Sequence, residues 1–331
     1  MTTLARPIWR FQQQAATGRG QAVAASILFA VLMLSMPWET WLGKDFEDKQ
    51  VYINNFLYLK PAIEDKGLET LREYFFNEVL WDVMVRGAKD YLGMPLEVVF
   101  GGITFLCLFC FARFLAIRHG VLAIVLLINP LVIDFAFSQL RMAFAVSLIL
   151  LGITMRHRAA LYLMLVLSCC IHTAMMLFIL MYLVSVQVSL WFGKRNFPVS
   201  MLAFIAMGGG LAVALMIGPL RGVLLSSVGD RRVEYELAGA TLSYASFWMV
   251  FLAVTPLQRV GFYADRFNLL AVACLATFTF ATLMGVFAAR FVSATFPMLV
   301  SALLSLGRPV KDVVLLMYLL YLALQWHYWF L

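Results

Sequence analysis

Four side chains in the segment Asn129–His172 have the means to do chemistry: Asp134, Gln139, Arg141 and His172, each set among apolar neighbours. An ionisable group in such surroundings is costly to hold and by default marks a functional site. Arg141 offers a permanently charged planar fork suited to phosphate or carboxylate. His172 offers an imidazole, the side-chain type best suited to take a proton from a hydroxyl near neutral pH. Structural roles compete with both: Arg141 paired with Asp134 or Glu97 to fix helix packing, and His172 bonded to a carbonyl at a helix break. Asp48 and Asp134 are the alternative bases.

Further cations stand later in the chain. Arg290 sits between two apolar runs in FAARFVSATF, where an anion ligand and a snorkelling turn residue fit equally well. Arg231, Arg232 and Tyr235 belong to the loop VGDRRVEYELAGA, whose acids Asp230, Glu234 and Glu236 also suit a solvated, salt-bridged loop. If these groups converge at one end of a helix bundle, they suit the charged head of an anionic lipid.

The elements that must position these residues follow from composition. The chain has 331 residues, 63% of them hydrophobic and 13% charged. Its mean hydropathy is +0.89. A soluble domain is about 45–50% apolar, so this is expected to be an integral membrane protein. Apolar runs of about 20 residues recur without the two-residue alternation of a barrel strand. The fold expected is one all-α, polytopic membrane domain over residues 1–331, with about eleven transmembrane helices. The basic, acid-free N-terminal tail places the N-terminus in the cytoplasm.

Residues 42–94, between the first two spans, carry ten acids and seven bases interleaved with aromatic side chains. They are expected to form a large outer-face loop folded as a cap, with short helices such as Leu68–Lys89. Later spans are expected at 95–117, 121–137 and 139–155. The apolar run from Ala159 to Gly193 would be about 52 Å long as one straight helix, too long for a ~30 Å hydrocarbon core. A break near Cys169–Thr173 makes it a broken pair and places His172 near the outer face. With that break every cytoplasmic turn is basic, including Lys194-Arg195. Gly208-Gly209-Gly210 marks a bend or a close helix contact.

Several chemistries find no support. The five cysteines lie in apolar runs without metal-ligand spacing, so neither a structural disulfide nor a metal site is expected. No phosphate-binding glycine loop, nucleophile elbow or HExxH motif is present, and no cofactor is implied. Cytoplasmic anchoring accounts for the basic pI, so nucleic acid is not an expected partner.

The run SQLRMAFAVSLILLGI, followed by basic residues, a short apolar limb and CIHTAMM, resembles the EpsG or Wzy-like family of bacterial polysaccharide polymerases. Members carry Gln-x-Arg at the head of a membrane helix, small residues along it, and a histidine followed by a small residue about thirty positions on. Gln139, Arg141, Ala145, Ser147 and His172 occupy those places. Asp48 and Tyr52 correspond to an Asp and Tyr after the first span, and Arg290 to a late arginine. Met142 departs from the pattern, standing where a second Gln often follows the arginine.

The resemblance implies a multi-pass enzyme of the bacterial inner membrane with a GT-C-like glycosyltransferase architecture. Such an enzyme joins undecaprenyl-pyrophosphate-linked oligosaccharide repeats, donor and acceptor, at the periplasmic face. Arg141, His172 and Asp48 would be catalytic; Gln139, Arg290, Arg231, Arg232, Tyr52, Tyr235 and Asp134 would bind substrate. Membrane lipid and a chain-length regulator would be partners. A flippase or transporter of a lipid-linked saccharide, and a membrane glycan ligase or acyltransferase, are the alternatives.

Overall fold

A computed structural model describes residues 18–59, 74–75, 78–155, 157–192, 198–228, 242–286 and 288–331. Among these residues the chain is helical and contains no strand. It packs as two compact units, residues 1–176 with 330, and residues 177–329 with 331. Among the described residues four helices are long and apolar enough to cross a membrane: Leu96–His119, Val199–Ile217, Arg266–Leu283 and Val310–Phe330. A fifth candidate span is a bent pair, Pro130–Phe137 and Leu140–Thr154, and five shorter apolar helices accompany them.

The first unit contains α1 (Arg19–Ser35), α2 (Trp38–Leu42), α3 (Glu47–Tyr58), α4 (Val79–Arg86), α5 (Leu96–His119), α6 (Pro130–Phe137), α7 (Leu140–Thr154) and α8 (Arg158–Ile171). Its core is α5, whose Leu108, Phe111, Phe114 and Leu115 are fully buried. α1 and α7 both pack on α5, and α8 packs on α7.

The region expected as one span over 121–137 is interrupted. Val121–Leu127 winds as a 3₁₀ helix, and α6 starts afresh at Pro130. The reason is local: the side chain of Asn129 accepts from the amide of Leu131 at 2.8 Å, and Pro130 supplies a preset first helical turn that lacks an N–H to continue the previous helix. α6 then turns by 102° into α7. The hydroxyl of Thr104 on α5 donates to the carbonyl of Ala136 at 2.9 Å, tying α6 to the core just before this bend.

α7 and α8 form an antiparallel hairpin with 15 and 14 residues, about 22 and 21 Å long at 1.5 Å per residue. Equal arms bring the first residues of α7 level with the last of α8. At the closed end, a β-carbon on Gly152 would meet the β-carbon of Met164 at 3.0 Å and Leu161 Cδ1 at 3.2 Å. Glycine lets the two helices approach this closely. The break expected near 169–173 follows α8: His172 is extended, with φ −148° and ψ 110°, and α9 begins at Met175 (Met175–Phe192).

Of residues 42–94, expected as a loop, α3, α4 and a π-helical turn at Gly87–Tyr91 are described, with α2 just before them; the N-terminal part of the helix expected at 68–89 lies outside the described residues. Arg86 and Lys89 hold the end of α3. The Arg86 guanidinium donates to the carbonyl of Leu59 at 3.0 Å and the Lys89 amine to that of Phe56 at 3.0 Å. These are carbonyls a helix C-terminus leaves without partners, and cations suit them. Tyr52 and Phe56 of α3 meet Trp81 of α4, with ring centroids 5.7 and 6.3 Å apart. Phe100 of α5 packs on the same two rings at 6.4 and 6.3 Å.

In the second unit, α10 (Val199–Ile217) crosses α11 (Arg266–Leu283) at Gly210. A β-carbon there would collide with backbone and side-chain atoms of Ala273, Ala276 and Thr277. Gly208 and Gly209 face open space, so one glycine of the three makes the close contact. Trp248 Nε1 donates to the hydroxyl of Tyr321 at 3.1 Å inside this unit.

Candidate functional site

The open end of the α7–α8 hairpin carries Arg141 in the first turn of α7 and His172 just after α8. Both meet a carboxylate supplied by neither helix. Glu78 Oε2 accepts from Arg141 Nη1 at 2.5 Å. Its Oε1 lies 2.7 Å from His172 Nδ1 and also accepts from the amide and hydroxyl of Thr173, at 3.1 and 3.2 Å. One side chain, 4% exposed, therefore binds an arginine, a histidine and a helix break together.

Local backbone explains how Glu78 reaches in. It is the residue before α4 and has φ 57°, the only non-glycine in the left-handed region among the described residues. That conformation costs about 1–2 kcal/mol and persists where surrounding contacts over-determine it, as happens at functional sites. Its amide donates to Phe75 O at 3.1 Å and its carbonyl accepts from Trp81 at 3.0 Å. α4 itself packs on α8.

Charge sets the roles of the two partners. A buried carboxylate beside a guanidinium is stable as the anion, so the imidazole must be the donor at Nδ1. In the neutral ring Nε2 then carries the free lone pair. His172 is 12% exposed and Arg141 is 33% exposed, so both remain reachable. Arg141 Nε donates to the Tyr52 hydroxyl at 3.1 Å, and the guanidinium carbon lies 5.3 Å from the Tyr52 ring centre. Among the described residues its Nη2 has no hydrogen-bond partner. Asp48, one turn before Tyr52 on α3, lies within Coulombic reach of Arg141.

Arg141 thus pairs with Glu78 and not with Asp134 or Glu97, the carboxylates considered for it from the sequence. The expected residues His172, Arg141 and Tyr52 come together, and Asp48 stands beside them. Gln139 is the residue before α7, at the bend, and its amide oxygen is buried without a hydrogen-bond partner among the described residues. Asp134 is half-buried on α6. Arg290 is exposed in the first turn of α12 (Ala289–Leu304), in the second unit. Arg231, Arg232 and Tyr235 lie outside the described residues.

Sequence reasoning missed Glu78 and Thr173. Glu78 was one of ten acids in a charged loop; its signal was the apolar setting of FFNEVLW. Among the described residues, no three His, Cys, Asp or Glu side chains gather as metal ligands. Comparison with family models, with curated proteins and with solved structures returns no match.

Proposed function

We propose that this chain is a membrane glycosyltransferase that polymerises lipid-linked oligosaccharide repeat units. It would transfer the growing glycan from undecaprenyl pyrophosphate to the terminal sugar of a new lipid-linked unit, at the periplasmic face of a bacterial inner membrane. In this reading the long, bent and short apolar helices make about eleven membrane segments in a GT-C-like arrangement. The observation that carries it is the buried Glu78 carboxylate, which holds an arginine and a histidine at the open end of an apolar helix hairpin.

The chemistry assigns a role to each group. The acceptor hydroxyl oxygen attacks the anomeric carbon, the bond from that carbon to the pyrophosphate oxygen breaks, and pyrophosphate leaves with the bonding electrons. The hydroxyl proton passes to Nε2 of His172, with Asp48 the alternative acceptor. Glu78 holds the ring by Nδ1 and stabilises the imidazolium that forms. Arg141 turns Nη2 to the leaving pyrophosphate, while Tyr52 and Glu78 fix the rest of its fork. The orphaned oxygen of Gln139 suits a donor on the substrate. Asp134, Arg231, Arg232, Tyr235 and Arg290 assist in binding, and a chain-length regulator is the expected protein partner.

A carboxylate shared by an arginine and a histidine also favours a second reading, a proton-coupled transporter or flippase of the lipid-linked saccharide. The length profile of surface glycan separates the two. In a strain lacking this gene, wild type should restore a ladder, and Arg141→Ala and His172→Ala at equal protein level should collapse it to single repeat units. An unchanged ladder in both variants removes the polymerase reading. If single units themselves fail to reach the surface without the gene, transport is the better account.

A further inference from the structure

Beside the Arg141 cluster the first unit holds a cavity of about 250 Å³, between the end of α1, α2, the start of α3 and the first turns of α5. Its walls include Trp38, Phe46, Phe100 and Phe137, and its polar groups include Glu39, Lys49 and Glu97. Phe46 and Phe137 stack with centroids 5.4 Å apart, and Trp38 is pinned by its Nε1, which donates to Met33 O at 2.8 Å. Lys49 is committed to Glu39 at 2.8 Å. Glu97 has no ion-pair partner among the described residues. The cavity therefore has an excess of negative charge.

From this lining we infer that the cavity seats one neutral sugar ring, the terminal sugar of the acceptor. The identification as acceptor rests on the polymerase reading; the binding of a neutral sugar does not. Rigid aromatic walls present apolar surface to the C–H faces of a ring, while carboxylates and an ammonium group bond its hydroxyls. The volume lies below the ~300–1,000 Å³ of pockets that enclose drug-sized ligands, so a single ring fits and a disaccharide does not. Glu97 is exposed and unneutralised, and it disfavours a uronic acid or a phosphorylated sugar by like-charge repulsion at short range.

Placement supports delivery to the cluster. Lys49 lines the cavity and Tyr52 bonds Arg141, and residues three apart share a helix face about 5 Å apart. Phe100 lines the cavity and also packs on Tyr52. Leu140 lines it too and immediately precedes Arg141.

Gly101 allows a direct test, since it lines the cavity and an added β-carbon there meets no atom within 4 Å. Gly101→Leu should fill the space without disturbing the fold. On the full chain in detergent, methyl hexopyranosides would be the probes and saturation-transfer NMR the readout. A ring of about twelve heavy atoms should bind with a Kd of order millimolar. Neutral glycosides should give saturation transfer, methyl glucuronide should give none, and Gly101→Leu and Glu97→Leu should each weaken binding by about tenfold or more. No binding by the wild type, equal binding of the glucuronide, or unchanged binding in Gly101→Leu overturns the proposal. An unchanged glycan ladder in Arg141→Ala would instead remove the polymerase reading, with the sugar-binding result standing on its own.

Discussion

At the scale of single residues the site is a problem in buried charge. Glu78 is removed from water with the Arg141 guanidinium in direct contact, and breaking such a pair from one side strands an ion in a poor solvent. Arg141→Ala should therefore destabilise the first unit by about 3 kcal/mol and, on the polymerase reading, also stop glycan transfer. Adding Glu78→Gln to Arg141→Ala should recover much of that loss, because the stranded charge is gone. Denaturant unfolding of the four members of this double-mutant cycle measures the coupling, and additive effects would contradict it. The ring of His172 can be dissected in the same spirit. His172→Asn keeps a donor near the Nδ1 position and removes Nε2, so stability should stay close to wild type. Transfer should fall by about 10²–10⁴ if Nε2 is the base; near-normal turnover would shift that role to Asp48.

At the scale of elements, the hairpin of α7 and α8 is the frame. Its closed end is set by Gly152, about 16 Å of helix away from Arg141. A leucine there cannot fit against Met164 and Leu161, and overpacking of this kind costs about 1–3 kcal/mol. Gly152→Leu should spread the arms, lengthen the reach from Glu78 to its two partners, and lower polymer yield without any change to a reacting group. Gly152→Ala should be far milder. A glycan ladder and an unfolding curve for the two variants test this, and equal effects would mean that the hairpin does not set the spacing.

Much of this frame was legible in sequence. The Gln139–Arg141 head of α7 stands out because polar residues interrupt apolar runs, and the break at His172 because the apolar run from Ala159 to Gly193 is too long for one span. What was not legible was the third element. Glu78 reaches the site through a left-handed backbone and long-range packing of α4 on α8, and neither leaves a periodic trace. The 3₁₀ run before Asn129 was hidden for a related reason: VLAIVLL is as apolar as a span, and its winding depends on the Asn129–Pro130 start of the next helix.

At the scale of the whole molecule, the proposed orientation rests on charge along the sequence. Lys194-Arg195 lies outside the described residues, and in the proposed topology the break at His172 puts it on the cytoplasmic side. Lys194→Cys in a cysteine-free background should be protected from a membrane-impermeant thiol reagent in intact cells and become labelled on permeabilisation. Labelling from outside would invert every later segment. The division into two compact units also separates the expected site residues. Arg141, His172, Glu78, Tyr52 and Asp48 belong to the first, and Arg290 to the second.

Phe100 touches Tyr52 on one side and the small cavity on the other, and this divides the cavity wall into parts with unequal freedom to vary. Substitution at Phe100 or Leu140 disturbs neighbours of Arg141, so changes there would be filtered by the need to keep a working catalyst. Glu39, Glu97 and Gly101 also line the cavity and make no bond to Arg141, Tyr52, Glu78 or His172 among the described residues. On the polymerase reading, lineages that build different glycans could exchange these three residues to suit a new sugar while the Arg141 cluster is inherited unaltered.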